Sequence, residues 1–444
     1  MRHTLRRISV FVLTLTVLLS IFTGSASAAY GNEPEITAKA ALLYSLDNDL
    51  IMYEKDIHTE LYPASITKIM TALLTLEYCD PDDIVTVTKS AMDAVPLESS
   101  IAGLKAGEEL SIHDLMICLL VPSGNDAANV LAEHIGGTIG DFVDMMNERA
   151  EELGCENTNF ANAHGFHDES HYTTAYDILL IVKEAMKYDL FNEIAGSSQL
   201  KIPATNMEEE RIFNSTNYLI SSHVTSKYLY DYAIGTKTGR TTPAGNCLVA
   251  TAKKDGITLI SVVLGADTVP TSNGGSNIMS FVETKSLFTW GYKNFEYRTI
   301  VDENDAITEA KVELAEAKDY VILNPDGQVS AYLHKSVPDS EFETKYSVDE
   351  NIVAPVEHGQ KLGSLRVYHN KEIIGELDLV AMNGVERSEI LYQFDQIQKF
   401  FAKPVVKLGI LGVFILILIF IIYMVIINIR NQRRRRSMRT RRRY

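Results

Sequence analysis

The stretch "PASITKIM" at positions 63–70 places a serine and a lysine three residues apart at the head of an apolar run. Pro63 fixes a turn. From near Ser65 onward Ile66, Ile69, Met70, Leu73 and Leu76 follow helical spacing, with threonines filling most positions between. A helix apolar on nearly every side belongs in the middle of a fold. Lys68 lies one turn from Ser65, on the same side. A helical lysine is ordinarily solvated or paired along its own helix, yet the positions three and four away hold Ala64, Ser65, Thr71 and Ala72. A desolvated lysine without an acid is driven toward the neutral amine, which can take a proton from a nearby hydroxyl. Ser65 and Lys68 are therefore candidates for nucleophile and base. The spacing alone is cheap: Ser198 and Lys201 repeat it ahead of an acidic run, with no apolar helix behind.

Two further stretches carry candidate site residues. "LSIHDLMICLLVPSGNDAANVLAEHIGG" (110–137) describes two helices about a tight joint. Ser111 with Asp114 resembles an N-terminal cap, Pro122 stops the first helix, and Gly136-Gly137 end the second. Ser123 and Asn125 fall in the joint, where polar side chains can point into a cleft. Ordinary turn chemistry explains them equally, and Ser215 with Asn217 repeats the spacing. In "YAIGTKTGRTTPAGNCLVATAKKDGITLISVVLGA" (232–266), Asp255-Gly256 between two apolar runs predicts a hairpin. Lys237, Thr238 and Gly239 fall at or near the preceding strand. Glycine there permits close approach of another backbone, and Lys237 offers charge to a carboxylate. The alternative is an edge-strand lysine that guards against aggregation. Residues 40–55 read as two short strands about Asp47-Asn48-Asp49.

Together and in this order, Ser65–Lys68, Ser123-Gly124-Asn125 and Lys237-Thr238-Gly239 resemble the three signature motifs of the serine penicillin-recognising enzymes. The longer stretches "PASITKIMTALL", "LLVPSGNDAANVLAEHIGG" and "NFANAHGFHDESHYTTAYDILLI" (159–181) are similar to the low-molecular-weight penicillin-binding proteins, the D-alanyl-D-alanine carboxypeptidases of family S11. The likeness spans roughly residues 35–296. It implies an α/β (α+β) fold, an antiparallel sheet covered by helices as in class A β-lactamases. It also implies a role for each residue. Ser65 would attack the penultimate D-alanine carbonyl of a peptidoglycan pentapeptide, Lys68 would act as base, and Ser123 would relay a proton. Asn125 would hold the substrate amide, and Lys237 and Thr238 the terminal carboxylate beside Gly239. The backbone N–H groups of Ser65 and Arg240 would form the oxyanion hole, and β-lactams would trap Ser65. Arg240 stands where many relatives carry His. His164 matches a position near the cleft, in a structural or a functional role, and the polar cluster Asp168 to Tyr172 is placed with it. Two other activities stay open on the same fold: a D,D-endopeptidase acting on cross-links, and a non-catalytic peptidoglycan-binding module. A β-lactamase would need an E-x-x-x-N acid soon after the second motif, and Glu210 to Asn214 lies too far along.

The ends read differently. Residues 1–28, with Arg2, Arg6 and Arg7 before an apolar stretch and Ala26-Ser27-Ala28, have the layout of a signal peptide. Residues 408–429 carry no charge and suffice for a single transmembrane helix, followed at 430–444 by a basic tail expected in the cytoplasm. The bulk of the chain is then extracytoplasmic, on the cell membrane. Setting aside three leader arginines and nine tail arginines leaves 29 of the 41 basic residues against 58 acidic ones. That balance argues against nucleic acid as partner. Cys79, Cys118, Cys155 and Cys247 allow three full pairings, among which the sequence does not choose. Packed thiols are the expectation, Cys118 and Cys247 lying in apolar segments, and without metal-ligand spacing no metal or organic cofactor is implied. Residues 297–392 alternate apolar and polar about turns at Pro325-Asp326-Gly327 and His369-Asn370, as a small all-β domain, and 393–407 form a juxtamembrane linker.

Overall fold

The structure, a computed structural model, describes residues 32–440; the expected signal peptide lies outside the described residues. The chain divides into two compact units, one through Glu296 together with His334–Ser336, the other from Tyr297 onward.

In the first unit, β1 (Ala40–Ser45) and β2 (Leu50–Lys55) form a hairpin, and α1 (Lys68–Tyr78) follows a single 3₁₀ turn, Ala64–Thr67. Two helices, α2 (Ile112–Leu120) and α3 (Asn125–Gly136), flank the joint that holds Ser123, and Ser111 caps α2 by accepting the Asp114 N–H at 3.1 Å. After α4 (Ala175–Ala185) come β3 (Ala233–Thr241), β4 (Gly245–Lys254), β5 (Ile257–Ala266) and α5 (Met279–Asn294). The five strands make one antiparallel sheet in the order β2-β1-β5-β4-β3, which leaves β3 at an edge. Asp255 and Gly256, both at positive φ, make the β4–β5 turn the dipeptide predicts.

β4 and β5 are buried almost end to end, as strands covered on both faces must be. The side chains alternate between those faces. Leu42, Ile260 and Val262 join one core with Ile66, Ile69 and Leu73 of the α1 region and with Leu131 and Ile178. Leu43 and Leu259 point the other way, where a Cβ on Gly291 of α5 would stand 2.8 Å and 3.1 Å from them. The burial of α1 from Lys68 through Thr75 fits a central helix. Its threonines are accommodated because Thr71 donates to Ala163 O at 2.5 Å and Thr75 to Thr71 O at 2.8 Å. All four cysteines are free thiols, Cys118 and Cys247 fully buried.

The second unit holds a five-stranded antiparallel sheet in the order Thr308–Lys311, Tyr320–Pro325, Glu372–Ala381, Lys361–His369, Phe342–Val348. Val321, Leu323, Leu365, Val367 and Leu379 form its core. The strands flanking Pro325-Asp326-Gly327 do not pair with each other; the turn passes the chain from this sheet to a second, two-stranded one. The stretch read as a linker is helical. A helix α6 (Glu389–Ala402), capped by Ser388, is followed by α7 (Pro404–Thr440). Within α7, Pro404–Arg434 contains an 18-residue window with a mean hydropathy of 3.4 and is long and apolar enough to cross a membrane.

Candidate active site

The helix expected to begin near Ser65 instead begins at Lys68, and the difference shapes the site. Pro63 and Ala64, the latter at φ +49°, bring the chain abruptly into a 3₁₀ turn, in which side chains three residues apart eclipse. Ser65 thus sits over Lys68, whose Nζ lies 3.0 Å from Ser65 Oγ. Lys68 is fully buried, and its amine also donates to Asn125 Oδ1 at 2.6 Å and to the His164 carbonyl at 2.8 Å. Burial first, and the charge of Lys237 second, hold the amine well below the ordinary lysine range, while Asp126 opposes them. A neutral amine has two hydrogens and one lone pair. Asn125 Oδ1 and the His164 carbonyl can only accept, so they take both hydrogens and leave the lone pair for the Ser65 hydroxyl. Asp126, a carboxylate that local spacing around Lys68 does not reveal, is itself held by backbone donors. It accepts from the N–H groups of Ala102 at 2.9 Å, Gly103 at 2.8 Å and Leu104 at 3.0 Å.

Ser123 lies in the α2–α3 joint at φ +66°, and its buried hydroxyl has no hydrogen-bond partner among the described residues. Asn125, expected in the loop, is the first residue of α3, anchored by its N–H to Ser100 O at 2.8 Å. Across from them runs β3. Lys237 is buried, donates to Thr238 O at 2.9 Å, and burial lowers its pKa from 10.5 to about 7. Gly239 earns its place sterically: a Cβ there would stand 2.9 Å from both Pro63 O and Ser65 N. The side chain of Arg240 is exposed.

Ser65, Ser123, Thr238, Gly239 and Arg240 line one cleft of about 240 Å³ in the first unit. The ring of His164 accepts the Phe166 N–H on Nδ1 at 3.0 Å, and burial first, with the charge of Lys68 second, lowers its pKa to about 3; its hydrogen bond to Lys68 is made by its carbonyl. Thr216, Tyr218, Asn246 and Phe281 also line the cleft. Thr216 Oγ1 lies 2.6 Å from Thr238 Oγ1, and Tyr218 stacks on Phe281 with ring centres 5.2 Å apart. No spacing rule marks these residues. Glu210 instead pairs with Lys201 at 3.0 Å on the exposed hairpin, so neither the second serine–lysine spacing nor the E-x-x-x-N spacing contributes to the cluster.

A hydroxyl beside a buried amine whose charged form is disfavoured, a second hydroxyl with no partner among the described residues, and a buried lysine on an open strand edge suit acyl transfer from a ligand that bears a carboxylate. On a helix-covered antiparallel sheet, that arrangement defines the serine penicillin-recognising enzymes. The chain belongs to the D-alanyl-D-alanine carboxypeptidase family, S11: its family pattern matches residues 27–268, and the pattern described as penicillin-binding protein 5, C-terminal domain, matches residues 295–387. D-alanyl-D-alanine carboxypeptidase DacF of Bacillus subtilis is 29% identical over 87% of this chain and 96% of its own length. DacA of Haemophilus influenzae is 31% identical over 87% of this chain and 95% of its own. Among solved structures, DacD from Francisella tularensis superposes with a TM-score of 0.58 at 25% identity, covering 82% of this chain and 99% of that one. Penicillin binding protein 5 from Haemophilus influenzae does so with 0.54 at 30% identity, covering 80% and 99%.

Proposed function

We propose that this protein is a serine-type D-alanyl-D-alanine carboxypeptidase that removes the terminal D-alanine from peptidoglycan stem peptides through an acyl-enzyme on Ser65. The observation that carries the reading is the Lys68 amine, buried, with acceptor-only partners on both its hydrogens and Ser65 Oγ at 3.0 Å. Its lone pair takes the Ser65 proton as Oγ attacks the penultimate D-alanine carbonyl. The oxyanion faces the backbone N–H groups of Ser65 and Arg240. The departing D-alanine nitrogen needs a proton, which the Ser123 hydroxyl passes from the Lys68 ammonium. Asn125 Nδ2 holds the substrate amide, and Lys237 with Thr238 receives the terminal carboxylate beside the exposed edge of β3. Water, activated by the same amine, then frees the acyl group. The strained β-lactam amide follows the first half of this path and stops at the acyl-enzyme.

Mass spectrometry of the products from a synthetic pentapeptide tests the reading. Free D-alanine and tetrapeptide in equal amounts, abolished by prior benzylpenicillin, are expected. Cleavage confined to cross-linked dimers would replace it by the endopeptidase, and no cleavage of either, with no penicillin labelling, by a binding module.

We further infer that α7 anchors the protein as a single span, with the arginine-rich end in the cytoplasm and both folded units outside. Support comes from the uncharged run 408–429 within the helix Pro404–Arg434, long and apolar enough to span, and from the arginines that close it. Carbonate and high salt should leave the protein in the membrane pellet and detergent should release it. Release by carbonate alone would contradict a spanning anchor.

A further inference from the structure

Ala64, immediately before Ser65, holds a left-handed conformation that a residue with a Cβ keeps only where its surroundings over-determine it. Those surroundings are a buried chain of hydrogen bonds. The Ala161 N–H donates to His171 Nδ1 at 3.0 Å, so that nitrogen carries a lone pair and the neutral ring carries its hydrogen on Nε2. Nε2 lies 2.7 Å from Thr67 Oγ1, and the Thr67 hydroxyl in turn donates to the Ala64 carbonyl at 2.9 Å. His171 and Thr67 are both buried, the ring edge-on to Phe160 with centres 5.6 Å apart. Burial holds the ring neutral, with its pKa lowered to about 4. From the other side Gly165, at φ +82°, closes over the same carbonyl; a Cβ there would fall 1.9 Å from Ala64 O.

The Ala64–Ser65 peptide is trans and planar, so its C=O and N–H point in opposite directions. Tethering the carbonyl oxygen therefore aims the Ser65 N–H away from Thr67, and Ser65 N lies 2.9 Å from the place a Cβ on cleft-lining Gly239 would occupy. We propose that His171 and Thr67 are positioning residues for catalysis: their relay fixes the Ala64 carbonyl and thereby directs the Ser65 N–H into the oxyanion hole. Neither side chain is a catalytic residue, since each acts through the peptide that precedes the nucleophile. The proposal rests on Ser65 being that nucleophile.

The test uses the detergent-solubilised full chain and a fluorescent penicillin, reading the acylation rate constant at saturation and the pre-acylation dissociation constant, both per labelled site. Thr67→Val keeps shape and loses the hydroxyl, whereas Thr67→Ser keeps it. His171→Leu removes the donor to Thr67, whereas His171→Gln can restore it. T67V and H171L should acylate roughly tenfold to a hundredfold more slowly, short of the loss of a whole oxyanion donor. The dissociation constant should stay within about twofold and T67S within about threefold of the wild-type rate, with H171Q faster than H171L. A merely structural role would lower the number of labelled sites and leave the rate per site unchanged. Wild-type rates in T67V and H171L, or T67S as slow as T67V, would overturn the proposal. Should T67V yield no labelled sites, the H171L–H171Q pair makes the same comparison. Labelling of Ser65→Ala at the wild-type level would refute the nucleophile itself, a separate outcome.

Discussion

Replacing Lys68 by Met should slow acylation of Ser65 by roughly a hundredfold to ten-thousandfold at saturating substrate, the range by which a positioned base contributes. The methionine chain fills the buried volume and cannot accept a proton. Because Lys68 also donates to Asn125 Oδ1 and His164 O, its loss leaves two buried acceptors without that donor, and a stability decrease should accompany the kinetic one. The pH profile separates the two. In the wild type the lysine is neutral well below its ordinary range, so its own limb of the acylation profile lies on the acid side, where the amine takes up a proton and can no longer act as base. The variant should lose that acid limb along with the rate. Stopped-flow acylation across pH reads both, and a variant that keeps the wild-type limb would place the base elsewhere.

Lys237→Met should have effects of opposite sign on function and stability. In the proposed reaction the cation receives the substrate carboxylate, and removing one partner of such a desolvated pair costs about 2–5 kcal/mol, so kcat/KM should fall by roughly thirtyfold to several thousandfold, chiefly through KM. Without substrate, the same charge is a liability. Its pKa is lowered by burial from 10.5 in water to about 7. Between those values the unfolded chain holds more protons than the folded one, so this group makes stability rise with pH across that window. The penalty is fully present below about pH 7 and gone above the ordinary lysine pKa. Lys237→Met should accordingly melt several degrees higher than wild type at pH 6, an advantage that shrinks as pH climbs. Wild-type kcat/KM should decline above neutrality as the free enzyme loses this proton, and the variant should lack that decline. A lower melting temperature at pH 6 with unchanged KM would contradict the assigned role.

How much of this was legible beforehand depends on whether the contact is local. Ser65 and Lys68 are three residues apart, the Asp255-Gly256 turn is a dipeptide, and Ser111 caps a helix three residues on, so pattern and spacing suffice. The family resemblance then brought Ser123, Asn125 and Lys237 to one place. The 3₁₀ turn under Ser65 escaped because apolar periodicity cannot distinguish three residues per turn from 3.6 over one turn. Asp126 escaped because its charge reaches Lys68 only through the packing of α3 against α1, and three of its backbone partners lie 22 to 24 residues away. His171 was no more than part of a polar cluster, because its bond to Thr67 spans 104 residues and leaves no trace in spacing. His164 shows the converse: the position matters through a carbonyl that every residue type possesses. The turn at Pro325-Asp326-Gly327 is real, but turn residues say where the chain bends and not which strands pair afterwards.

The proposed catalysis depends on one hydroxyl forming a covalent bond. Benzylpenicillin should add its full mass to the intact wild-type chain, and tryptic digestion should confine the adduct to the peptide between Lys55 and Lys68, which contains Ser65. Ser65→Ala, shown by its unchanged melting temperature to be folded, should give no adduct. An adduct on any other peptide, or one that persists in Ser65→Ala, would contradict the assignment.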